Sequence, residues 1–255
     1  MKDLLKKPKK ALREGGVKLL VIRIIAFFVL KLKLGLAFIL SPYLKERLKR
    51  FHSDDTDSVI DFIMHSLFGL MRPMQVKSEL HNLCEVLKRL KPSTVLEIGT
   101  ANGGTLFCFT KLAPDAAEII SIDLPRGAFG GGYPKWKESI YESFKESGQK
   151  FSLLREDSHK QKTLEKLKDI LGGRMVDFLF IDGDHTYEGV KKDFELYSSL
   201  VRKGGIIAFH DIAIHPENVG CFVNLFWDEI KKSYRYEEFI EDRNQGWGGI
   251  GVLFV

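Results

Sequence analysis

The feature that most limits the fold of this chain is an alternation, from Val76 onward, of short β-rich apolar runs with stretches of helical periodicity. The predicted strands are Thr94–Ile98, Glu118–Ile122, Phe151–Arg155, Val176–Ile181, Gly205–His210 and Ile250–Phe254. The predicted helices are Lys77–Leu90, Thr105–Leu112, Gln161–Leu171, Glu188–Val201 and Val223–Tyr234. Several runs, such as FLFI and GIIAF, are continuously hydrophobic, which is typical of strands covered on both faces. The pattern therefore predicts an α/β fold with a mostly parallel sheet between two layers of helices.

Acidic residues recur at the predicted strand ends, about one strand–helix unit apart. They are Glu97, Asp123, Asp157, Asp182 and Asp211. In an open parallel sheet, ligands bind beyond the carboxyl ends of the strands, so we expect these carboxylates to share one rim. A single acid in a loop is unremarkable, but a series in phase with the strands indicates a site.

The first strand leads into a glycine-containing turn, in the segment VLEIGTANGGTL. Gly99 permits a sharp turn, and Gly103 permits close approach of a ligand to the start of the next helix. The spacing departs from the G-x-G-x-x-G fingerprint of dinucleotide enzymes, because Ala101 stands at the position of the middle glycine. Glu97 offers a carboxylate to a cationic or amine-bearing ligand, and Asp123 is placed to accept hydrogen bonds from ribose hydroxyls. Together they favour a nucleoside-bearing cofactor with a cationic tail.

Three further segments carry a family resemblance: SIDLPRGAFGGGYPKW, FLFIDGDHTYEGVKKDFELY and GGIIAFHDI. With the glycine turn, they make residues 76–255 resemble the class I S-adenosylmethionine-dependent methyltransferases. The similarity is to the small-molecule O-methyltransferase branch that includes the cephalosporin-hydroxylase-like and macrolide-sugar methyltransferases, related in layout to catechol O-methyltransferase. The resemblance implies a Rossmann-like methyltransferase fold with a seven-stranded sheet. It also implies S-adenosyl-L-methionine as the cofactor and a small hydroxylated molecule as the acceptor.

The resemblance implies roles for individual residues as well. The residues implied to bind the cofactor are Glu97, Gly99, Thr100, Asn102, Gly103, Asp123, Leu124, Asp157, Ser158 and Asp182. Within this set, the glycine turn would hold the methionine end, Asp123 the ribose and Asp157 the adenine. The residues implied to hold a divalent metal are Asp182, His210 and Asp211. The relatives vary at the last two positions, where two carboxylate or amide oxygens are common.

Elementary chemistry points to the same rim. Methyl transfer from a sulfonium to a hydroxyl needs alignment and the removal of a proton. His185 has the pKa range of a general base, so we predict His185 and Asp182 as the catalytic residues. Carboxylate oxygens from Asp182 and Asp211 favour Mg²⁺ over zinc as the metal.

Other interpretations stay open at this point. A nicotinamide-dependent oxidoreductase on a Rossmann-like sheet would need the missing G-x-G-x-x-G and a catalytic Tyr-x-x-x-Lys pair at a suitable helix. A non-catalytic membrane-associated or assembly protein would not need the acids at the strand ends. Asp184 has a structural interpretation as the cap of a helix near Tyr187, and His159 as a buried, partnered histidine. The glycine-rich loop Arg126–Tyr133 is either a mobile lid or a connector.

Charge divides the chain into two parts. Residues 1–50 contain 14 Lys/Arg and 3 Asp/Glu, whereas the other 205 residues contain 25 and 31. We expect residues 1–50 to form a basic, apolar helical extension, residues 51–75 a linker and helix, and residues 76–255 the catalytic domain. Within residues 17–40 no uncharged stretch is longer than Ile24–Leu30, which falls far below the ~18 residues that a membrane-spanning helix needs.

The composition of residues 1–50 indicates what the chain binds, and not which reaction it catalyses. Its basic and apolar residues suit packing against a second subunit in a homo-oligomer, or peripheral contact with an anionic membrane surface. No RNA-binding motif accompanies the basic residues, so no nucleic-acid partner is expected. The three cysteines Cys84, Cys108 and Cys221 form no C-x-x-C pair, which is typical of a reducing compartment and predicts a cytoplasmic protein.

Overall fold

The computed structural model describes residues 38–65, 69–127 and 132–255, together with the single positions Val21, Ile25, Leu32, Gly35 and Leu36. The described strands are β1 (Thr94–Ile98), β2 (Glu118–Ile122), β3 (Lys150–Leu154), β4 (Val176–Ile181), β5 (Val201–His210), β6 (Arg235–Phe239) and β7 (Ile250–Phe254). They form one seven-stranded sheet in the order β3-β2-β1-β4-β5-β7-β6. The first five strands pair in parallel, and β7 runs antiparallel to both β5 and β6. The predicted mostly parallel α/β architecture is confirmed.

Helices cover both faces of this sheet. On one face lie α1 (Ser41–Lys49), α2 (Thr56–His65), α3 (Lys77–Leu90), α4 (Gly104–Leu112) and the short α5 (Glu138–Tyr141). On the other face lie α6 (Gln161–Leu171), α7 (Tyr187–Tyr197) and α8 (Val223–Ile230). In β4, Phe178 and Phe180 belong to the first core, whereas Leu179 and Ile181 belong to the second. Successive side chains of a strand point to opposite faces, so a continuous apolar run supplies both cores.

The predicted strand bounds match the structure at β1, β2, β4 and β7. β3 begins one residue early, at Lys150, and β5 begins at Val201 because the ladder to β4 continues across an irregularity in register. β6 is absent from the predicted runs. It is an edge strand that pairs with β7 alone, and its sequence RYEEF is too polar for the buried-strand pattern.

Two helix ends also differ from the prediction. α7 ends at Tyr197 and α8 at Ile230, and in each case a 3₁₀ turn follows, which tightens the chain before the next strand. The cap of α7 is Thr186, whose hydroxyl accepts a hydrogen bond of 3.0 Å from the Gly189 N–H. Asp184 accepts the Thr186 N–H at 2.9 Å, so it orients the cap and is not itself the cap.

Part of the basic extension packs on the body of the protein. Leu44 and Leu48 of α1 are buried in the core that α3 and α4 share, and Phe38 lies edge-on to Trp136 with ring centroids 5.7 Å apart. Most of residues 1–37 lie outside the described residues, so the helical extension and the division at residues 50 and 75 stay predictions. Among the described helices, none combines the length and the apolar character that crossing a membrane requires.

Candidate active site

The carboxyl ends of β1, β2, β4 and β5 open into a cavity of about 390 Å³. The predicted site residues that line it are Gly99, Asp123, Leu124, Asp157, Ser158, Asp182, His185, His210 and Asp211. A cavity of this size, with apolar walls and a few convergent polar groups, is typical of a small-molecule site.

The turn after β1 requires glycine for steric reasons. Gly99 has a φ of +94°, and a Cβ there would lie 1.9 Å from the carbonyl oxygen of Asp182. Gly103 has a φ of +83°, and a Cβ there would lie 2.7 Å from the Tyr141 ring. Both residues occupy the left-handed region that glycine favours. The turn thereby brings the backbones after β1 and β4 into contact at the cavity and leads directly into α4.

Glu97 is fully buried beside this turn. Its Oε1 accepts a hydrogen bond of 2.5 Å from the Thr105 hydroxyl, whereas Oε2 has no hydrogen-bond partner among the described residues. Burial raises the pKa of Glu97 to about 8, although the hydrogen bond from Thr105 opposes this. A buried polar atom without a partner is costly, so this carboxyl suits a cationic ligand group that would pair with it.

Asp123 is held by two backbone amides. The Ala101 N–H donates to Oδ2 at 2.9 Å, and the Gly132 N–H donates to Oδ1 at 3.0 Å. Burial raises the pKa of Asp123 to about 6 against these bonds. Each carboxylate oxygen keeps a further lone pair, so Asp123 can also accept from ribose hydroxyls. The Gly132 bond ties the far end of the Arg126–Tyr133 loop to the cavity; residues 128–131 of that loop lie outside the described part of the chain.

The end of β3 supplies a further wall of the cavity. Asp157 Oδ1 accepts the His159 N–H at 2.9 Å, and the Ser158 carbonyl accepts the Tyr197 hydroxyl at 2.6 Å. His159 lines the cavity as well, with Nε2 3.3 Å from Oδ1 of the buried Asp193. The hydrogen bond to Asp193 raises the pKa of His159. His159 is therefore partnered and half-buried, but it stands at the site and not in the core.

Four predicted cofactor residues do not line the cavity; they are Glu97, Thr100, Asn102 and Gly103. Thr100 is buried and shares a short hydrogen bond with the Ser121 hydroxyl. The Asn102 amide donates to the Arg72 carbonyl at 3.4 Å. The side chains of Glu97, Thr100 and Asn102 instead bond to Thr105, Ser121 and the Arg72 carbonyl.

Two carboxylates and three histidines cluster at the ends of β4 and β5. His210 Nδ1 lies 3.1 Å from Asp182 Oδ1 and 3.4 Å from Asp211 Oδ1. His185 reaches the same pair, with Nε2 3.5 Å from Asp182 and Nδ1 3.0 Å from Asp211. His215 Nε2 lies 3.2 Å from Asp211. Each carboxylate therefore contacts at least two imidazoles.

Charge balance sets the protonation of this cluster. Burial lowers the pKa of His185, but the hydrogen bond to Asp211 and the charge of Asp182 outweigh it and raise the pKa to about 10. Burial also opposes the charged form of His210, yet Asp182 and Asp211 raise its pKa well above the usual range. For Asp211 burial is again the opposing effect, and the charge of His210 holds its pKa far below the usual range. The neighbouring carboxylates therefore favour the protonated forms of His185 and His210, and His210 favours the ionised form of Asp211.

The same cluster has the donor atoms of a divalent-cation site. One ligand atom each from Asp182, His210 and Asp211 lies within 4.8 Å of the others. The buried Nε2 of His210 has no hydrogen-bond partner among the described residues. The carboxylates of Asp182 and Asp211 already face the imidazoles of His185 and His210. A bound cation could supply positive charge in place of these imidazoles. The residues therefore fit the predicted metal: the carboxylates suit Mg²⁺, whereas the imidazole is a donor better suited to a transition metal.

Several residues at the site carry no sequence signal. Gln75 Nε2 donates to Asp182 Oδ2 at 2.8 Å, and Met74, His215 and Trp247 line the cavity. Met74 and Gln75 precede α3 and Trp247 follows β6, so none of these three stands at the carboxyl end of a parallel strand. The spacing of His215, four residues after Asp211, is the one hint that the sequence offered.

The sequence of this chain is similar to those of several known proteins. Residues 96–212 match a protein family described as a methyltransferase domain. A caffeoyl-CoA O-methyltransferase from Stellaria longipes is 31% identical over 157 residues, which cover 58% of this chain and 60% of that protein. A rhamnosyl O-methyltransferase from Mycobacterium bovis is 24% identical over 181 residues, which cover 67% of this chain and 69% of that protein. The chain spans only 15% to 60% of the length of four of the curated relatives that it matches.

The fold of this chain is similar to that of a solved structure. The O-methyltransferase TomG from Streptomyces achromogenes, determined in complex with SAM, superposes with a TM-score of 0.53 at 14% identity. The superposition covers 81% of this chain and 92% of TomG. At this identity the likeness concerns the fold alone. The family match at residues 96–212 contains the glycine turn, Asp123, Asp182, His185 and Asp211.

Proposed function

We propose that this chain, whose residues 96–212 match the methyltransferase domain family, transfers a methyl group from S-adenosyl-L-methionine to a hydroxyl of a small molecule. The observation that supports the proposal is the pairing of two kinds of site. One is at the glycine turn, where Asp123 lines the cavity and Glu97 is buried beside the turn, and the other is at the ends of β4 and β5. Glu97 and Asp123 suit the ammonium group and the ribose of a sulfonium nucleoside. Asp182, His185 and Asp211 suit the removal of a proton next to the methyl group.

The proposed methyl transfer forms a carbon–oxygen bond and breaks a carbon–sulfur bond. The acceptor oxygen attacks the methyl carbon, the carbon–sulfur bond breaks with its electron pair going to sulfur, and S-adenosylhomocysteine leaves. We assign the hydroxyl proton to Nε2 of His185, whose ring Asp211 orients through Nδ1 at 3.0 Å. With a pKa of about 10 the ring is protonated near neutral pH in the ligand-free chain. His185 becomes a base only after that proton has left.

We also propose that Asp182, His210 and Asp211 hold a divalent cation, with Mg²⁺ as the first candidate. When bound, such an ion lowers the pKa of a hydroxyl beside it and orients that hydroxyl. Gln75 would steady the site from the second oxygen of Asp182, to which it donates at 2.8 Å.

Calorimetry with S-adenosylhomocysteine and with NAD tests the cofactor assignment, and we expect binding of the first alone. Methyl transfer from isotopically labelled S-adenosylmethionine is then measured with caffeoyl-CoA and with a rhamnosyl glycoside, the acceptors that the names of the two relatives suggest. Binding of NAD in place of S-adenosylhomocysteine would favour the nicotinamide oxidoreductase. Binding of neither would favour a non-catalytic assembly protein.

For residues 1–50 we propose contact with a second copy of the chain or with an anionic membrane surface, in a cytoplasmic protein. The described apolar positions of this segment with exposed side chains include Val21, Ile25, Leu32, Leu36, Phe38, Ile39 and Tyr43. Apolar surface of this extent seldom stays uncovered in a soluble monomer. The excess of lysine and arginine favours lipid, because each such residue near an anionic surface contributes ~1 kcal/mol. The scatter of the cations along the segment favours a subunit.

A further inference from the structure

The loop between β6 and β7, residues 240–249, contributes Trp247 to the wall of the cavity. The proposed mechanism does not use this part of the wall. Trp247 lines the cavity and keeps 45% of its surface exposed. Met74, Leu124 and Val219 line the cavity too, and all three are exposed apolar side chains. The cavity thus has a charged floor at Asp182 and Asp211 and an apolar rim around it.

Glu79 of α3 holds this loop. Its Oε1 accepts the Gln245 side-chain amide at 2.7 Å and the Glu241 N–H at 3.1 Å, and its Oε2 accepts the Gly249 N–H at 2.8 Å. Glu79 is 1% exposed, and among the described residues its partners are these N–H donors and no cation. A buried carboxyl group that accepts several N–H bonds is strongly held in place, since losing one of them leaves a buried donor without its acceptor.

The loop continues from Glu79 to the reactive floor of the cavity. The Gly248 N–H donates to Asp211 Oδ1 at 3.2 Å, and the Gly248 carbonyl accepts the Ala213 N–H at 2.9 Å. Gly248 and Gly249 have φ values of +71° and +81°, which glycine adopts without strain. Trp247 lies in the sequence between Gln245, which bonds to Glu79, and Gly248, which bonds to Asp211.

We propose that Glu79 is a positioning residue that holds residues 240–249 so that Trp247 forms the acceptor-binding wall of the cavity, and that the acceptor therefore presents an apolar ring face next to its reacting hydroxyl. This inference rests on the proposed methyl transfer. A phenolic ring and a pyranose ring share this chemistry, because each offers an apolar face to an indole and carries hydroxyls at its edge. Trp247 would receive the ring face, while Asp182, His185 and Asp211 face the hydroxyl.

The wall is tested by isothermal titration calorimetry, with the chain first saturated with S-adenosylhomocysteine. The two probes are 4-nitrocatechol and methyl α-L-rhamnopyranoside, which separate a phenolic from a sugar acceptor. We expect one probe to bind and to weaken about tenfold in Trp247→Ala, with most of the affinity restored in Trp247→Phe. Tyr236→Ala, which removes an aromatic side chain of β6 that is 45% exposed and does not line the cavity, is the control and should leave probe binding unchanged. Equal binding in the wild type and Trp247→Ala, or no binding of either probe, would overturn the wall.

The positioning role is tested with Glu79→Gln, which keeps one carbonyl acceptor but places an NH₂ group against N–H donors. Hydrogen exchange of residues 240–249 should speed up, the dissociation constant of the bound probe should rise about tenfold, and S-adenosylhomocysteine affinity should stay within about twofold. The matched control is Asp177→Asn, which alters a buried carboxylate that accepts the Ser93 and Thr94 N–H groups at 2.8 Å, at the opposite end of the strands. It should lower thermal stability without moving probe affinity. If both variants lower the affinity for the probe to the same extent, Glu79 has no positioning role. The same conclusion follows if Glu79→Gln leaves the affinity for the probe unchanged. Loss of S-adenosylhomocysteine binding in the wild type would overturn the proposed function instead.

Discussion

His185 Nδ1 lies 3.0 Å from Oδ2 of Asp211, so the imidazole at the cavity is tied to a buried carboxylate of the next strand. The arrangement orients the ring toward the cavity, and it also stabilises the protonated form of the ring. Orientation serves a general base, whereas a stabilised proton opposes it. The balance between these effects can be measured.

The activity is expected to rise with pH. The pKa of His185 is about 10, above its usual range, so the ring is protonated and inactive as a base at lower pH and becomes competent as the pH approaches that value. In His185→Ala, kcat/KM should fall by about 10²–10⁴ and lose the alkaline limb. The pH profile of kcat/KM for the wild type and the variant is the measurement. A flat wild-type profile from neutral to alkaline pH, or full activity in His185→Ala, would contradict the assignment.

Cofactor binding is expected to release a proton. Glu97 has a pKa of about 8 and is mostly neutral below that pH in the ligand-free chain. An ammonium group favours the ionised carboxyl, so affinity for S-adenosylhomocysteine should rise as the pH increases toward 8. Calorimetry in buffers of different ionisation enthalpy counts the protons released. Glu97→Gln should abolish the release between pH 7 and 8, and an unchanged proton count in that variant would contradict the role of Glu97.

Asp123→Ala should weaken S-adenosylhomocysteine about 10–100-fold, because charge-assisted hydrogen bonds worth ~1.5–3 kcal/mol are lost. The sheet should remain folded, since Asp123 lies beyond the end of β2 and not within a core. Calorimetry gives the affinity and circular dichroism gives the fold. Asp228→Ala, at an exposed carboxylate 2.6 Å from Lys231, is the matched control. An unchanged dissociation constant in Asp123→Ala would remove the ribose assignment.

Mg²⁺ is expected to raise the melting temperature of the chain, and Asp182→Asn and Asp211→Asn should each remove the effect. The reason is that a ligand bound to the folded state alone stabilises it, and both carboxylates contribute donor atoms. Binding should also release protons, because it replaces charge now held by imidazoles. Thermal shift with Mg²⁺ and with Mn²⁺, each before and after EDTA, is the measurement. Methyl transfer that is fully retained in excess EDTA would refute the metal role and leave His185 as the base.

Deleting residues 2–37 tests the extension while leaving the buried Leu44 and Leu48 in place. A longer deletion through residue 50 would remove Leu44 and Leu48, which are buried, and would confuse misfolding with loss of a partner. The truncated chain should show a lower molar mass by light scattering or weaker sedimentation with anionic vesicles. The same mass and the same vesicle binding as the full chain would defeat both the subunit and the membrane proposals.

The sequence predicted the fold and much of the site because both depend on local pattern. A buried run such as Val176–Ile181 fits a strand covered on two faces, and the residue that follows such a strand emerges at one edge of the sheet. This is why Asp123, Asp182 and Asp211 line one cavity as expected. The polar edge strand β6 escaped prediction, because edge strands need no continuous apolar run.

What the sequence alone determined, then, is the layered sheet and the rim of carboxylates beyond its strands. Only the tertiary structure decided which distant side chains meet there: Glu79 and Gly249 bond across 170 residues, and Gln75 reaches Asp182 across 107. It also decided the pKa of His185, which burial lowers and which Asp211 and Asp182 together raise to about 10. The physical reason is that periodicity reports which face of an element is buried. Hydrogen bonds and charges between elements instead depend on the path of the loops, which no local pattern records.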